Sequence, residues 1–273
     1  MPVFDSVLHT LSSVSTGGFS PRTESVGFYN NPAIEVVIIF LMLIGSTSFF
    51  VHDKLLKRNF RQYVRNPETR LFWILIIIFS TLLSFSLLKP NPFRHGIFYT
   101  FSALTTTGFT TLNTIPSGFP IILLICLMLI GGYAGSTAGG MKLIRFGVIA
   151  KSIPWLGRKM SLPEEAVVPF KLGEKTIRSS EAAIISLFVC VYFAVFVVSS
   201  LVLVFLGYPV SHSFFETASA QGTVGLSVID IRTMHPIGKL VLMVDMLLGR
   251  VEIFPFLVLM YAVYSRITSR FMA

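Results

Sequence analysis

The chain contains apolar runs that are each long enough to cross a lipid bilayer, which takes about 20 helical residues. Three runs are clear and two are interrupted by glycine or charged residues: Pro32–Val51, Leu71–Leu88 and Ala182–Leu206, then Phe119–Ala150 and Ile237–Tyr264. Of the 273 residues 53% are hydrophobic and 13% are charged, whereas a soluble domain has about 25% charged residues. Because backbone polar groups in a bilayer must be hydrogen-bonded internally, these runs predict an all-α polytopic membrane protein.

Three short strings of glycine and hydroxyl residues each follow a short amphipathic segment and precede a long apolar one. They are STGGF at Ser15–Phe19, TTTGF at Thr105–Phe109 and GTVGLS at Gly222–Ser227. Glycine permits positive φ values that turn successive carbonyl oxygens to one side, and rings of carbonyls replace the hydration shell of K⁺ in selectivity filters. The strings therefore predict filter strands. The carbonyls expected to bind the ion belong to Ser15, Thr16, Gly17, Gly18, Thr105, Thr106, Thr107, Gly108, Gly222, Thr223, Val224 and Gly225.

One unit recurs along the chain: an apolar helix, a short helix that ends at a string, and a second apolar helix. Residues 65–150 and 179–273 each hold a full unit, residues 1–64 hold a unit without its outer helix, and 151–178 form a polar connection. The short helices are predicted at Pro2–Val14, Pro92–Leu104 and Ser211–Ala220. Their C-terminal ends carry a partial negative charge, which favours a cation beside the string. A re-entrant loop without a pore is the alternative.

Glycine and charge interrupt the last two apolar runs. Five of the ten residues 131–140 are glycine, and each glycine weakens a helix by about 1 kcal/mol. This segment therefore predicts an irregular loop within the membrane, with close helix packing through small residues as the alternative. The last run holds Asp245, Arg250 and Glu252, and charges at membrane depth often mark an ion path. Arg250 is expected to pair with either acid or to project into the pore, unless the charges form a purely structural ion pair.

The positive charge is concentrated on one predicted side of the membrane. The net charge is +9, and 16 of the 22 Lys and Arg side chains lie within 52–70, 142–178 and 266–270. The positive-inside rule makes that side, including the C-terminus, cytoplasmic. Such a distribution favours contact with anionic membrane lipid and argues against nucleic-acid binding. Cys126 and Cys190 lie singly in apolar runs, which predicts neither a disulfide nor a metal cluster.

Five motifs together resemble the superfamily of Trk, Ktr and HKT potassium transporters, most closely the TrkH type. They are TGGFS at Thr16–Ser20, TTTGF at Thr105–Phe109, TVGLS at Thr223–Ser227, GGYAGSTAGGMK at Gly131–Lys142 and LLGRVEIF at Leu247–Phe254. The resemblance covers essentially the whole chain. It implies uptake of K⁺, or of Na⁺, through a pore in the inner cell membrane, with no covalently bound cofactor.

Members of this superfamily have four repeats around one pore, and each repeat supplies one filter strand. By resemblance the central filter glycines are Gly18, Gly108 and Gly225, and residues 131–140 form an intramembrane loop that gates permeation. The gating residues are then Gly131, Gly132, Gly135, Ser136, Thr137, Gly139, Gly140 and Arg250. Arg250 matches an arginine that contacts this loop and acts as an electrostatic barrier.

The resemblance also predicts that the ring is incomplete. The chain holds roughly 2.7 of the four expected repeats, which are the second to the fourth. Three strands cannot close a fourfold ring, so we expect a C-terminal fragment of a longer transporter, or a chain completed by another, that does not conduct alone. We further expect a homodimer whose basic stretches face a cytoplasmic, nucleotide-binding regulatory subunit of the TrkA type.

Two other functions are compatible with the residues. A secondary transporter with discontinuous helices would use Asp245 and Glu252 as ion or proton ligands. A membrane-embedded enzyme would use Ser136 as a nucleophile, which needs a base within hydrogen-bond reach. The five histidines fall near predicted helix ends, most of them at the aqueous faces. We therefore expect no enzymatic activity.

Overall fold

The structure is a computed structural model that describes residues 1–87, 90–112, 114–163, 168–173 and 175–252, together with 255, 256, 258 and 262. Within these residues the chain is almost wholly helical. The helices are α1 Val3–Val14, α2 Pro32–Ser46, α3 Phe49–Leu56, α4 Phe60–Arg65, α5 Pro67–Ser86, α6 Pro92–Leu104, α7 Phe119–Ile130, α8 Leu143–Met160, α9 Ser179–Phe205, α10 Val210–Gln221 and α11 Pro236–Val251. A 3₁₀ turn spans Ser25–Tyr29, and a hairpin pairs β1 Lys171–Leu172 with β2 Lys175–Thr176 in antiparallel register.

The helices repeat in the predicted order, which confirms the fold class. A short helix, a string and an inner helix follow one another in α1–α2, α6–α7 and α10–α11, and an outer helix precedes the latter two pairs as α5 and α9. Each short helix packs against its own inner or outer helix, and α10 also packs against α7. This cross-repeat contact brings the second and third strings together.

Two helices of the described residues are long and apolar enough to span a membrane, α5 and α9. A third span results if α2 and α3 are counted as one, although they meet at an angle of 106°. The unbroken run expected at Pro32–Val51 was therefore wrong. The chain leaves α2 because Thr47 is extended, and Ser48 starts α3 by accepting a hydrogen bond from the N–H of Phe50 at 3.3 Å.

One further boundary differs from that expected. The helix α8 continues from the predicted end at Ala150 to Met160, inside the stretch expected to be only a connection. A small core packs the β hairpin against α8, with the Trp155 and Phe170 rings 5.3 Å apart. In the last repeat, α11 runs through Asp245 and Arg250 and ends at Val251, and Glu252 follows it with a left-handed φ of 65°. The helix is thus interrupted at the last of the three charged residues, where a break was expected. The later part of that run lies largely outside the described residues.

A buried ion pair connects the unit at residues 1–64 to the unit at residues 65–150. The guanidinium of Arg94 on α6 donates two hydrogen bonds of 2.8 Å to the Glu35 carboxylate on α2. The Glu35 side chain is 4% exposed, so little water competes for it. Two parallel bonds fix the relative position of two planar groups. The pair therefore sets how α2 and α6 approach each other.

Removing one member of this pair should destabilise the chain by about 3 kcal/mol, since the partner is left as an uncompensated buried charge. We expect this loss in the free energy of unfolding of Glu35→Gln, measured by SDS titration in mild detergent. The exposed pair of Asp53 and Lys57 is the matched control, and Asp53→Asn should cost only about 0.4 kcal/mol. Equal losses in the two variants would contradict a structural role for the buried pair.

Candidate ion pathway

The three strings share one unusual backbone conformation. A threonine stands two residues before each central glycine, and it has a left-handed φ that non-glycine residues rarely adopt. These values are 52° at Thr16, 54° at Thr106 and 53° at Thr223. The glycines that follow also have positive φ, namely 67° at Gly18, 84° at Gly108 and 90° at Gly225. Three stretches that lie far apart in the sequence share one strained geometry, which indicates one shared task.

The N–H groups of each string fold back onto the short helix that precedes it. In the second string the N–H groups of Thr105, Thr106 and Thr107 donate to helix carbonyls at 2.9, 3.1 and 3.0 Å. The first and third strings make the corresponding three bonds, at 2.8 to 3.1 Å. Since the donors are satisfied on the helix side, the string carbonyls are left for another partner.

The strings adjoin one another in the order in which they occur along the chain. A methyl group added at Gly18 would stand 1.9 Å from the carbonyl oxygen of Thr107, and one added at Gly108 would stand 2.0 Å from that of Val224. Each glycine is therefore faced by a carbonyl of the next string. At Gly225 no atom of the described residues lies within 4 Å of the same position. The arrangement runs from the first string to the third and is open beside Gly225.

A glycine-rich loop between α7 and α8 meets all three strings. The hydroxyl of Thr16 donates to Thr137 Oγ1 at 3.1 Å, and the N–H of Gly139 donates to Thr106 Oγ1 at 2.7 Å. A methyl group on Gly139 would stand 2.1 Å from Thr223 Oγ1. The loop thus touches each string at its left-handed threonine. Sequence reasoning missed this role, although the shared position of the three threonines was the available signal.

The two ends of the loop lie side by side, where α7 ends and α8 begins. The N–H groups of Met141 and Lys142 donate to the carbonyls of Leu129 and Ile130 at 3.0 Å. Gly131 and Gly140, with φ of 73° and 74°, lie where the two ends pass. A methyl group on Gly131 would stand 2.2 Å from the carbonyl oxygen of Gly139. The glycines therefore allow the close crossing that shapes the loop.

The break between α2 and α3 supplies backbone acceptors for the loop. The carbonyl of Gly45 accepts from the N–H and the hydroxyl of Thr137 at 3.3 and 2.9 Å, and that of Ser46 accepts from the N–H of Tyr133 at 3.2 Å. Carbonyls at the end of a helix lack an intrahelical partner. The bend between α2 and α3 thereby holds the loop between α7 and α8.

Glu68 at the start of α5 holds the loop through a backbone group. Its carboxylate accepts a hydrogen bond of 3.0 Å from the N–H of Ala134. The residue is 8% exposed. The carboxylate therefore satisfies a donor of the loop that the helices leave without a partner.

Two cations bind consecutive carbonyls of the loop. Arg250 Nη1 on α11 donates to the carbonyl of Thr137 at 3.0 Å, and Lys142 Nζ donates to that of Ala138. The arginine therefore contacts the loop, and its role as an electrostatic barrier stays a prediction. Ser136 lies in the same loop and donates to the carbonyl of Tyr133 at 2.7 Å.

The acids of the last repeat do not pair with Arg250 among the described residues. Glu252 binds Arg145 of α8 at 2.5 Å, and the Arg145 guanidinium lies 3.9 Å from the centre of the Phe188 ring. Asp245 is 1% exposed and accepts a hydrogen bond from Ser199 of α9 at 2.7 Å. The expected pairs of Arg250 with these acids were thus wrong. Asp245 and Glu252 have different partners on different helices, which gives no support to a joint ion site.

One histidine supports the strings instead of lying at an aqueous face. His9 lies in the middle of α1, is 2% exposed and contacts the backbone carbonyl of Asp5 and the hydroxyl of Ser20 at 2.7 and 3.1 Å. Its ring stacks on Phe109 with the centroids 5.6 Å apart. The expectation of a boundary residue was wrong for His9, which braces the first string against the second.

A carboxylate at the start of α1 is fixed by two groups of the segment after the first string. Asp5 Oδ2 accepts hydrogen bonds from the Tyr29 hydroxyl and from Arg22, the latter at 3.0 Å. The hydrogen bond from Tyr29, assisted by Arg22, holds the pKa of Asp5 below its usual value. A charged carboxylate therefore stands at the end of α1 that is remote from the string.

Three adjacent strings of shared geometry, contacted by one loop and set among apolar helices, are typical of a helical membrane protein of the pore-loop class. Residues 1–266 match the TrkH family, described as cation transport protein. The chain therefore belongs to the TrkH family.

Curated relatives agree with this assignment. The chain is 32% identical over 280 residues to the Trk system potassium uptake protein TrkH of Salmonella typhimurium, with 97% of this chain and 58% of that protein covered. It is 33% identical over 269 residues to an uncharacterized cation transporter of Methanocaldococcus jannaschii, with 96% and 55% covered. The chain thus spans little more than half the length of these relatives. They are named as transporters, which fits a protein that is not an enzyme.

The fold matches a solved structure as well. The crystal structure of the potassium transporter TrkH from Vibrio parahaemolyticus superimposes with a TM-score of 0.85 at 29% identity. The match covers 95% of this chain and 58% of that one. The repeated helices and strings therefore have the arrangement of a known transporter fold.

An alanine at each of two central glycines should have unequal effects on this chain. Both positions have positive φ, which costs an alanine about 1 kcal/mol, but only Gly108→Ala also overlaps a carbonyl oxygen. We expect Gly108→Ala to lose about 2 kcal/mol more than Gly225→Ala, measured as the free energy of unfolding in detergent. A larger loss in Gly225→Ala would contradict this prediction, because it would mean that the chain itself fills the position beside Gly225.

Proposed function

We propose that the chain forms three of the four walls of a pore that takes up K⁺, or another monovalent cation, across the cell membrane. The observation that carries the proposal is the triple repetition of two positive-φ positions in strings that adjoin one another in the order of the sequence. Carbonyls without backbone donors replace the hydration water of the ion. The pore needs no side-chain chemistry and no bound cofactor.

The proposed ligands of the ion are the string carbonyls, with Gly18, Gly108 and Gly225 as the central residues. The short helices support this arrangement, since each ends at its string and contributes a partial negative charge there. A fourth string, from outside these residues or from another chain, would stand beside Gly225. On this proposal the chain alone does not conduct, and the complete ring does.

The glycine-rich loop is proposed to be the gate. It contacts the threonine of every string, and Arg250 adds a positive charge beside it through the carbonyl of Thr137. A cation leaving the filter on this side would meet both the loop and that charge. Opening requires the loop to leave the threonines, with Gly131 and Gly140 as the flexible ends.

The proposal assigns the basic segments to the cytoplasmic side of the inner membrane, by the positive-inside rule. The relatives are named as Trk system proteins, which favours a cytoplasmic regulatory subunit of the TrkA type that moves the gate. A homodimer of the complete transporter is part of the same proposal, carried by the family alone.

The filter assignment predicts that Gly108→Ser weakens the preference for K⁺ over Na⁺, because a side chain displaces the facing carbonyl of Val224. We expect at least a tenfold loss in the ratio of initial K⁺ and Na⁺ uptake rates, in cells that lack other K⁺ uptake and express the complete transporter. The control is Gly157→Ser on α8, where nothing lies within 4 Å. Gly225→Ser serves if the first variant fails to reach the membrane, and an unchanged ratio in a variant that does reach it would overturn the assignment.

The gate assignment predicts that Arg250→Gln raises the flux. The variant loses one charged hydrogen bond to the loop, an interaction worth about a factor of ten or more, so uptake of ⁸⁶Rb⁺ should increase by about tenfold in the complete transporter. Lys239→Gln on the same helix is the control, since Lys239 Nζ binds the carbonyl of Arg232 away from the loop. A flux that is unchanged or reduced in Arg250→Gln would exclude a barrier at this position.

A further inference from the structure

A cavity of about 680 Å³ lies beside the loop, where Glu68 and Ile144 line it. Its walls come from α3, α4, the starts of α5 and α9, the first turns of α8, and the β hairpin. Most of these residues belong to the two basic segments, 52–70 and 142–178, which are far apart in sequence, and the start of α9 follows the second segment directly. The cavity is thus a place where the fold brings the two segments together.

One part of the cavity wall is strongly basic. Lys54, Arg61, Arg65 and Lys175 line it. The acids among the lining residues are Glu68, which binds a backbone N–H group, and Glu181, which stands 3.9 Å from Lys175. The ammonium of Lys54 lies 4.6 Å from the centre of the Phe50 ring. The surplus of positive charge favours an anionic ligand.

Another part of the wall is apolar and leads toward the membrane. Val148, Leu172 and Ile177 are buried there, and Ile185 lies on the first turns of α9. Further along this end of α9, Leu187 is 57% exposed, and α9 is one of the helices long enough to span a bilayer. An acyl chain can therefore follow α9 while its headgroup stays among the basic residues.

We propose that this cavity binds an anionic phospholipid, with the phosphate among the Lys and Arg side chains and an acyl chain along α9. A free phosphate would contact only the basic wall and none of the exposed apolar side chains of α9, such as Leu187. A phospholipid contacts the basic wall and covers that part of α9 at once, which is the reason to prefer it. Clusters of basic residues beside a membrane helix are typical sites for such headgroups.

The cavity is coupled to the loop through three of its walls. Glu68 lines the cavity and accepts the N–H of Ala134. Phe50 lines it next to Phe49, whose N–H donates to the carbonyl of Gly135 at 3.3 Å. Ile144 lines it and follows the loop directly. A lipid that joins these walls stabilises the loop against the strings, because a ligand favours the conformation that it binds best.

The binding test compares two double variants with the same change in net charge. Lys54→Gln with Arg61→Gln removes charge from the cavity, whereas Lys57→Gln with Lys151→Gln removes exposed charge from the same two segments but outside it. The protein in neutral detergent is titrated with dioctanoyl phosphatidylglycerol, dioctanoyl phosphatidylcholine or inorganic phosphate, and bound lipid is counted by native mass spectrometry. None of these readouts depends on ion transport.

We expect phosphatidylglycerol to bind at least tenfold more tightly than phosphatidylcholine, and the cavity variant to lose about 25-fold, since each of its two basic groups near a headgroup contributes about fivefold. The control variant should stay within twofold of the parent chain. Equal losses in both variants would show a diffuse charge effect and overturn the site. Binding of inorganic phosphate as tight as that of the lipid would overturn the lipid, and unchanged lipid binding by the cavity variant would overturn the site.

The coupling to the loop has its own measurement. Hydrogen–deuterium exchange of the peptides that cover 131–142 should slow by several-fold when phosphatidylglycerol is added, and this effect should be absent from the cavity variant. Exchange that stays unchanged while lipid binds would overturn the coupling. The consequence for flux rests on the proposed function, whereas lipid binding and exchange are measured without it.

Discussion

The structure depends on how three stretches of buried, non-helical backbone satisfy their hydrogen bonds. An unpaired N–H in hydrocarbon costs several kcal/mol, so a chain can depart from the helix there only if it finds donors and acceptors elsewhere. Each string meets this requirement by returning its N–H groups to the short helix before it. These hydrogen bonds require a threonine with a left-handed φ, which strains the backbone at the same position of every string.

The same requirement explains the other irregular segments. The loop at 131–142 takes its partners from the broken end of α2, from the carboxylate of Glu68 and from the cations Lys142 and Arg250. In turn the bend at Thr47 and Ser48 exposes the carbonyls that the loop needs. The irregular parts of different repeats therefore satisfy one another, and none of them is an independent feature of its own repeat.

Much of the architecture could be predicted because apolar length, glycine strings and repetition are local signals. The bounds of α6 agree with those expected, and the fold class is confirmed. The bend after Ser46 was not predicted, although Ser46, Thr47 and Ser48 interrupt the apolar run there, since the reason for the break is a loop almost 90 residues away. The pairing of Glu252 with Arg145 was missed for a similar reason, because charge alone gives no partner, whereas the contact of Arg250 with the loop was expected from the resemblance and is observed. His9 appeared to be a boundary residue only because its partner Phe109 belongs to another repeat.

The contact of one loop with the equivalent threonine of every string has a consequence for how occupancy and opening are related. If the strings hold an ion more tightly when the loop is in contact, linkage requires the ion to hold the loop in place by the same factor. The permeant ion then acts as an effector of its own pathway. External cation concentration would change the fraction of open molecules as well as the rate through each of them, without a separate sensor.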